Sequence, residues 1–388
     1  MKIRGEILSS SLRGAVSRTA FLLTAAVAVA VMPAVSHAGE AELKAEIDKI
    51  WSKLANVEVA AGITEPAPVE PTWSDRLTIG GVVEVEAGVY DDDTFTESDI
   101  AVATVELGIE AEVSDFSSAH VLLLYEDDDD LQVDEAFITL GNLERNPFYL
   151  TAGKLYVPFG NYESQMVSDP LTLEIGEARE DALLVGIEVA GFYVSAYGFN
   201  GDTQDDGDDV VEHYGANLGY AFEAETVSFD IGGGWISSIR DSDGLSDILG
   251  AIVEDPLDPL SPFVETEYIQ GYSAHLIAGL GPLTLIAEYL TAADDLLAAN
   301  PFVTNSRISA YNVEAGVFFP LAGRDAYVAV GYQETDEALW AGLAEKRIVT
   351  AVAVEIMDGT SLALEWLNEE DYDGVDSDIY TLQLAAEF

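Results

Sequence analysis

The sequence predicts an all-β transmembrane fold: a sixteen-stranded antiparallel up-and-down β-barrel, preceded by a short N-terminal coiled-coil helix. Three observations predict it. Apolar and polar residues alternate with period 2 in sixteen separate segments. The connectors between those segments alternate between long, acidic stretches and short turns. After the N-terminal segment, no run of eighteen uncharged apolar residues reads as a membrane helix. In lipid, only a closed barrel then satisfies every backbone group.

Composition sets the outer limits. The chain has 388 residues and no Cys, so it carries no disulfide framework, thiolate metal site or thiol nucleophile. Asp and Glu number 71 against 16 Lys and Arg. A nucleic-acid partner is excluded, because phosphate neutralisation needs cations. Yet 49% of residues are hydrophobic and mean hydropathy is +0.16, unlike a disordered acidic tail. Acid and apolar residues must therefore be segregated.

From the amino end, residues 1–38 read as a signal peptide. Lys2, Arg4, Arg13 and Arg18 form the positive region, residues 20–31 the short apolar region, and Ser36-His37-Ala38 a small-x-small cleavage site. Residues 39–62 read as a periplasmic helix. Leu43, Ile47, Ile50, Leu54 and Val57 are spaced 4, 3, 4, 3, the seam of a coiled coil. A helix this short is marginal alone. It either joins copies of the chain through residues 40–60 or lies on the barrel or membrane. Residues 63–75, with Thr64-Glu-Pro-Ala-Pro-Val-Glu-Pro71, read as a stiff Pro-rich linker.

The barrel is expected over residues 76–388. Its first segment sets Leu77, Ile79, Val83, Val85, Ala87 and Val89 against Thr78, Glu84, Glu86 and Tyr90. The second sets seven apolar residues from Ala101 to Val113 against Thr104, Glu106, Glu110 and Glu112. Long connectors fall at 91–97, 127–130, 156–180, 200–209, 239–264, 291–305, 335–345 and 368–377, with short ones between them; 127–130 is shorter than the short connector 141–147, and only its acidity places it in the long set. In a meander, alternate connectors share an end. The layout is that of a membrane barrel with long outer loops, short periplasmic turns and both termini periplasmic. Charge facing lipid is costly, so Glu84, Glu86, Glu106, Glu110 and Glu112 are expected to face the lumen. Tyr90, Tyr125, Tyr149, Trp235, Tyr289 and Trp366, near strand ends, suit interfacial girdles. The last segment sets Tyr380, Leu382, Leu384 and Ala386 on one face and stops on Phe388. It resembles the closing strand of bacterial outer-membrane barrels, which the barrel-assembly machinery handles.

The third long connector is richer in apolar residues than the others. Leu171 to Ile175 could pass for a strand, but an odd strand count is disfavoured in a single-chain bacterial barrel. The expectation is a loop folded into the lumen as a constriction, where Lys154, Glu163, Asp169, Glu174, Glu177, Arg179 and Glu180 set the charge. Lys154 and Arg179 could coordinate an anionic or iron-chelating solute. Salt bridges to lumenal Glu are the simpler expectation.

At this loop, Ala152-Gly-Lys-Leu-Tyr-Val-Pro-Phe-Gly160 and Asp169-Pro-Leu-Thr-Leu-Glu-Ile-Gly-Glu-Ala-Arg-Glu180 resemble the LbtU-type siderophore porin family. The signal, short coiled coil, Pro-rich spacer and closing Phe388 resemble it too. The resemblance implies a sixteen-stranded outer-membrane barrel without a plug domain, linked to uptake of an iron–siderophore complex. It identifies no residue-level siderophore site. The motifs are similar, more loosely, to phosphate-selective porins, but anion pores need cationic rings that this chain lacks.

Asp371, Asp373, Asp376 and Asp378, and separately Asp241-Ser-Asp-Gly244, have the spacing of weak calcium loops, yet the EF-hand pattern is absent. They read as hydrated acidic loops, where divalent cations held loosely would damp repulsion. No cofactor is expected. His120, His213 and His275 lie on strands and none accompanies a G-x-S-x-G elbow, so no enzyme is expected. Three functions stay open: a plug-free porin for an iron–siderophore or similar chelate, a general cation-preferring porin, and a surface-binding barrel acting through acidic loops. The expected partners are outer-membrane lipid and a small chelate or cations.

Overall fold

The computed structural model describes residues 73–92, 94–126, 130–201, 210–255, 257–264, 267–298 and 305–388. The signal peptide, the coiled-coil helix, most of the linker and the acidic stretches 127–129 and 202–209 lie outside the described residues. Trp73–Arg76 forms a 3-10 turn and belongs to a second compact unit.

The barrel itself runs β1 (Leu77–Asp91), β2 (Thr96–Ser114), β3 (Ser117–Glu126), β4 (Gln132–Gly141), β5 (Phe148–Tyr156), β6 (Arg179–Val189), β7 (Phe192–Phe199) and β8 (His213–Glu223). It continues with β9 (Val227–Ile236), β10 (Gly271–Leu280), β11 (Leu283–Ala292), β12 (Ser309–Leu321), β13 (Arg324–Asp336), β14 (Lys346–Met357), β15 (Thr360–Glu370) and β16 (Asp376–Glu387). Each strand pairs antiparallel with its sequence neighbours, and β16 returns to β1, so the sheet is a closed sixteen-strand barrel. All sixteen alternating segments are strands. At the closure, Gly81 and Phe388 exchange both backbone hydrogen bonds at 3.0 Å. The Phe388 ring covers Gly81, where a side chain would come within 2.9 Å of it.

Alternation divides the wall. On β16, Ser377, Ile379, Thr381, Gln383 and Ala385 are buried, while Tyr380, Leu382 and Leu384 between them are exposed and face lipid. Tyr214, Trp235, Tyr272, Tyr289, Trp366 and Tyr380 line the outer face towards the long-loop end, as an interfacial girdle does. Two girdle expectations are corrected. Tyr90 packs inward on the cluster around Met166, and Tyr149 packs inward on the main core. Both sit on the inward parity of their strands.

That main core is unusual in position, because it fills part of the lumen. The segment 171–176 is not a strand: α1 (Leu171–Gly176) is a short helix starting just after Pro170, whose φ of −71° suits a helix start. A second helix, α2 (Asp243–Glu254), belongs to the loop between β9 and β10. It buries Leu245, Leu249 and Ile252, a spacing of i, i+4, i+7. These meet Val157, Phe159, Leu171 and Ile175 of the β5–β6 loop, with Leu290, Leu296 and Trp340 from later strands and loops. The two loops thus share one apolar core inside the barrel.

Candidate functional site

The β5–β6 loop, residues 157–178, is the expected lumenal loop, and its backbone explains how it stays inside. A loop buried in a barrel must satisfy its N–H groups without a neighbouring strand. Here the wall supplies acceptors. Asn161 N–H donates to Glu288 Oε1 at 2.9 Å and Tyr162 N–H to Glu288 Oε2 at 3.2 Å. Gln165 N–H donates to Glu314 Oε2 at 2.7 Å, and the Ser164 hydroxyl to Glu314 Oε1 at 2.7 Å. Val167 and Ser168 N–H donate to Glu365 at 2.5 and 3.1 Å. Leu171 N–H donates to Gln333 Oε1 at 3.0 Å. The loop is therefore read residue by residue by β11, β12, β15 and β13. Carboxylates suit this role, since charge-assisted bonds are about twice as strong as neutral ones.

Tyr162 marks the sharpest bend. Its φ is +57°, a left-handed conformation that is costly for a non-glycine residue. Its ring lies over Gly160 and Gly176, at either of which a Cβ would approach the ring or its hydroxyl to 2.2 Å. Burial, and next to it the Glu288 carboxylate, push its phenol well above the usual tyrosine range, so it stays neutral.

The α2 loop is fastened to this loop in turn. Ser242 Oγ donates to the Ile175 carbonyl at 2.6 Å, Asp243 N–H to the Glu177 carbonyl at 2.8 Å, and Arg179 N–H to Asp243 Oδ1 at 3.0 Å. The Asp241-Ser-Asp-Gly244 stretch serves as this junction, with Asp241 Oδ2 lying 3.2 Å from His213 Nδ1.

The expected constriction residues separate into distinct roles. Lys154 is a correction: it does not line the pore. Its neighbour Leu155 turns inward to the loop core, so the pleat turns Lys154 outward, paired in register with exposed Asp181. Arg179 forms an ion pair with buried Asp134, which also accepts the Tyr156 hydroxyl at 3.1 Å. Glu174 accepts Arg347 Nη1 at 2.7 Å, and the same guanidinium reaches Glu369 through Nε at 3.1 Å. The Asp169 carbonyl accepts Arg347 Nη1 at 3.5 Å, and the Asp169 side chain is buried, as are Glu177 and Glu180. Glu163 alone of the seven is exposed.

The five acids expected in the lumen share one face by register. Glu86 stands opposite Gln383 and receives its Nε2–H at 2.9 Å. Thr381, two residues from Gln383 on the same face, stands opposite Glu365, the loop anchor. Glu84 faces Thr104, and Glu106, Glu110 and Glu112 continue that face down β2 opposite Leu124, His120 and Ser118. Glu110 and Glu112, at the short-turn end, are exposed.

Asp371, Asp373, Asp376 and Asp378 do not converge. Asp371 Oδ1 closes its own turn by accepting N–H from Asp373 and Val375, both at 2.8 Å, and Asp378 accepts Trp366 Nε1–H at 2.9 Å. Among the described residues, no group of three His, Cys, Asp or Glu side chains could hold a metal ion. Sequence reasoning missed the anchors Glu288, Glu314, Gln333, Glu365 and Arg347. The signal for the carboxylates was present: Glu288 and Glu314 are each the lone acid of their strand, and Glu365 stands at mid-strand on the same inward parity, apart from the Glu369-Glu370 pair at the end of β15.

No protein-family model matches the chain. A UPF0422 protein of Coxiella burnetii (strain RSA 493) is 30% identical over 255 residues, 62% of this chain and 51% of that protein. A UPF0422 protein of Legionella pneumophila (strain Philadelphia 1) is 28% identical over 299 residues, 72% of this chain and 56% of that one. The chain thus spans about half the length of the curated relatives it matches. Among solved structures, the outer-membrane channel DcaP of Acinetobacter baumannii superposes with a TM-score of 0.54 at 13% identity, over 80% of this chain and 97% of DcaP. An anion-selective porin from Comamonas acidovorans gives 0.54 at 12%, over 80% and 99%. Pseudomonas putida OprB gives 0.55 at 9%, over 80% and 94%. The chain has the fold of an outer-membrane porin, sixteen strands closed around a lumen into which a loop is pinned.

Proposed function

We propose that this protein is a passive porin of the outer membrane that admits cations and metal-bearing chelates. An iron–siderophore complex is the solute its loop motifs resemble. The observation that carries the reading is the acidic inward face of β1 and β2, Glu84, Glu86, Glu106, Glu110 and Glu112, inside a barrel narrowed by a pinned loop that exposes Glu163. Carboxylates on the lumen wall favour cations over anions, and of these five Glu110 and Glu112 are exposed while Glu84 and Glu86 are buried. Loop and wall together set the width, and passage runs down a gradient.

The general cation-preferring porin is the second reading, and the same acids favour it. The two differ in solute, so the test is single-channel current in a planar bilayer with a ferric siderophore titrated onto the long-loop side. Cation-favouring current blocked by micromolar-range chelate, on the order expected for a weak solute site, and not by a matched sugar supports chelate uptake. Equal current with no selective block leaves the general porin. A barrel closed to ions sinks both and favours the surface-binding alternative.

A further inference from the structure

Away from the pinned loop's anchors, three donor side chains meet on the inward face of β7, β9 and β10. The Tyr193 hydroxyl donates to Asp230 Oδ1 at 2.8 Å and lies 3.2 Å from His275 Nε2, which is 3.4 Å from the same Oδ1. One oxygen of a phenol, one of a carboxylate and one imidazole nitrogen form a triangle. A first-row ion about 2.0–2.2 Å from each donor requires edges of about 2.9 Å in an octahedral face and about 3.4 Å in a tetrahedral one. The observed edges span that range without any atom moving far.

The backbone is built to allow the convergence. Tyr193 stands opposite Gly219, Gly219 opposite Gly232, and Gly232 opposite His275, in one row across four strands. Tyr193 therefore lies across two glycines to reach β9 and β10. A Cβ at Gly219 would sit 2.1 Å from its hydroxyl oxygen; one at Gly232 would sit 2.5 Å from that oxygen and 2.6 Å from His275 Cε1. Glycine inside a strand costs about 0.5–1 kcal/mol relative to alanine. Two of them on one row are explained by the side chain that crosses them. The His275 imidazole is 8% exposed and its Nδ1 has no hydrogen-bond partner among the described residues, whereas Asp230 at 31% keeps the triangle open to the lumen.

We propose that Tyr193, Asp230 and His275 form a metal site in the lumen wall, with ferric iron as its ion. Phenolate and carboxylate oxygens suit a hard trivalent ion, and imidazole suits iron. On binding, the Tyr193 O–H bond breaks, its proton goes to lumenal water, and the oxygen takes up the ion. Waters or chelator oxygens leave three coordination positions, the oxidation state is unchanged, and the remaining positions face the lumen. The site deepens the channel reading and rests on it, since it would be a station where a ferric chelate exchanges ligands.

The test uses the full mature chain in detergent, titrated with ferric nitrilotriacetate. The readout is the visible phenolate-to-iron charge-transfer band, beside iron bound per chain. One iron per chain with the band is expected. Tyr193→Phe should abolish the band and weaken iron binding by at least about 10- to 100-fold, the range for losing even an outer-shell partner of a metal ligand. Gly219→Val, which leaves all three ligands in the chain, should do the same by displacing Tyr193. A gel shift on heating shows that each variant has kept its barrel. No band, or iron binding equal in Tyr193→Phe and therefore held by acidic loops alone, overturns the site. A chain that conducts cations without the band sinks the site only, and one that shows the band but carries no current sinks the channel reading only.

Discussion

At the scale of single residues, the pinned loop depends on a few wall side chains. Glu288 receives the N–H groups of Asn161 and Tyr162 and, at 3.2 Å, the Thr172 hydroxyl. Glu288→Ala leaves three donors without their acceptor, the Thr172 hydroxyl fully buried and the two N–H groups partly so. It should cost about 1–3 kcal/mol per unsatisfied group at most, less where water enters. The expected result is a lower thermal midpoint by circular dichroism in detergent and a noisier single-channel current from a freed loop. An unchanged midpoint and a quiet current would remove Glu288 as an anchor. Arg347 binds Glu174 and Glu369 together. Arg347→Ala leaves two carboxylates facing each other and should destabilise by about 1–3 kcal/mol, below the figure for a fully buried pair because Glu174 keeps some solvent. Arg347→Lys should recover only part, since one ammonium cannot reproduce two separate guanidinium contacts. Equal midpoints for the Ala and Lys variants would show that geometry is not what matters there.

At the scale of elements, α2 is a buttress for the loop beneath it. Gly244, at its start, approaches the Glu174 carbonyl so closely that a Cβ would lie 2.0 Å from that oxygen. Gly244→Val should unseat α2 while leaving the sixteen strands paired. We expect an unchanged β signal by circular dichroism with a larger single-channel conductance; an unchanged conductance would show that α2 does not narrow the path. The closing strand gives another test. Phe388 makes two backbone hydrogen bonds to Gly81 and covers it. Deleting Phe388 removes both, and with them the last ladder pair at the seam. The yield of heat-shifting barrel on gels should fall, whereas normal yield would show that closure is complete at Glu387.

At the scale of the whole molecule, charge decides selectivity. Changing Glu84, Glu86, Glu106, Glu110 and Glu112 together to Gln should move the reversal potential in a salt gradient towards zero. The difference from the unaltered protein should shrink in about 1 M salt, where the screening length is about 3 Å. A reversal potential unaffected by the five changes would place selectivity in the long acidic loops instead.

The sequence by itself determined the strand count, the sorting of long and short connectors and the shared face of the β1–β2 acids. These follow from period-2 alternation and from the cost of charge in lipid, and both are local. Only the tertiary structure decided which wall residues hold that loop. Asn161 meets Glu288 across 127 residues and Val167 meets Glu365 across 198, and no spacing rule links positions so far apart. It also turned Lys154 out of the lumen, because Leu155 took the inward position, and it made a helix of residues 171–176. A segment inside a closed barrel has no free strand to pair with, so its backbone is satisfied by its own helical turn and by wall side chains.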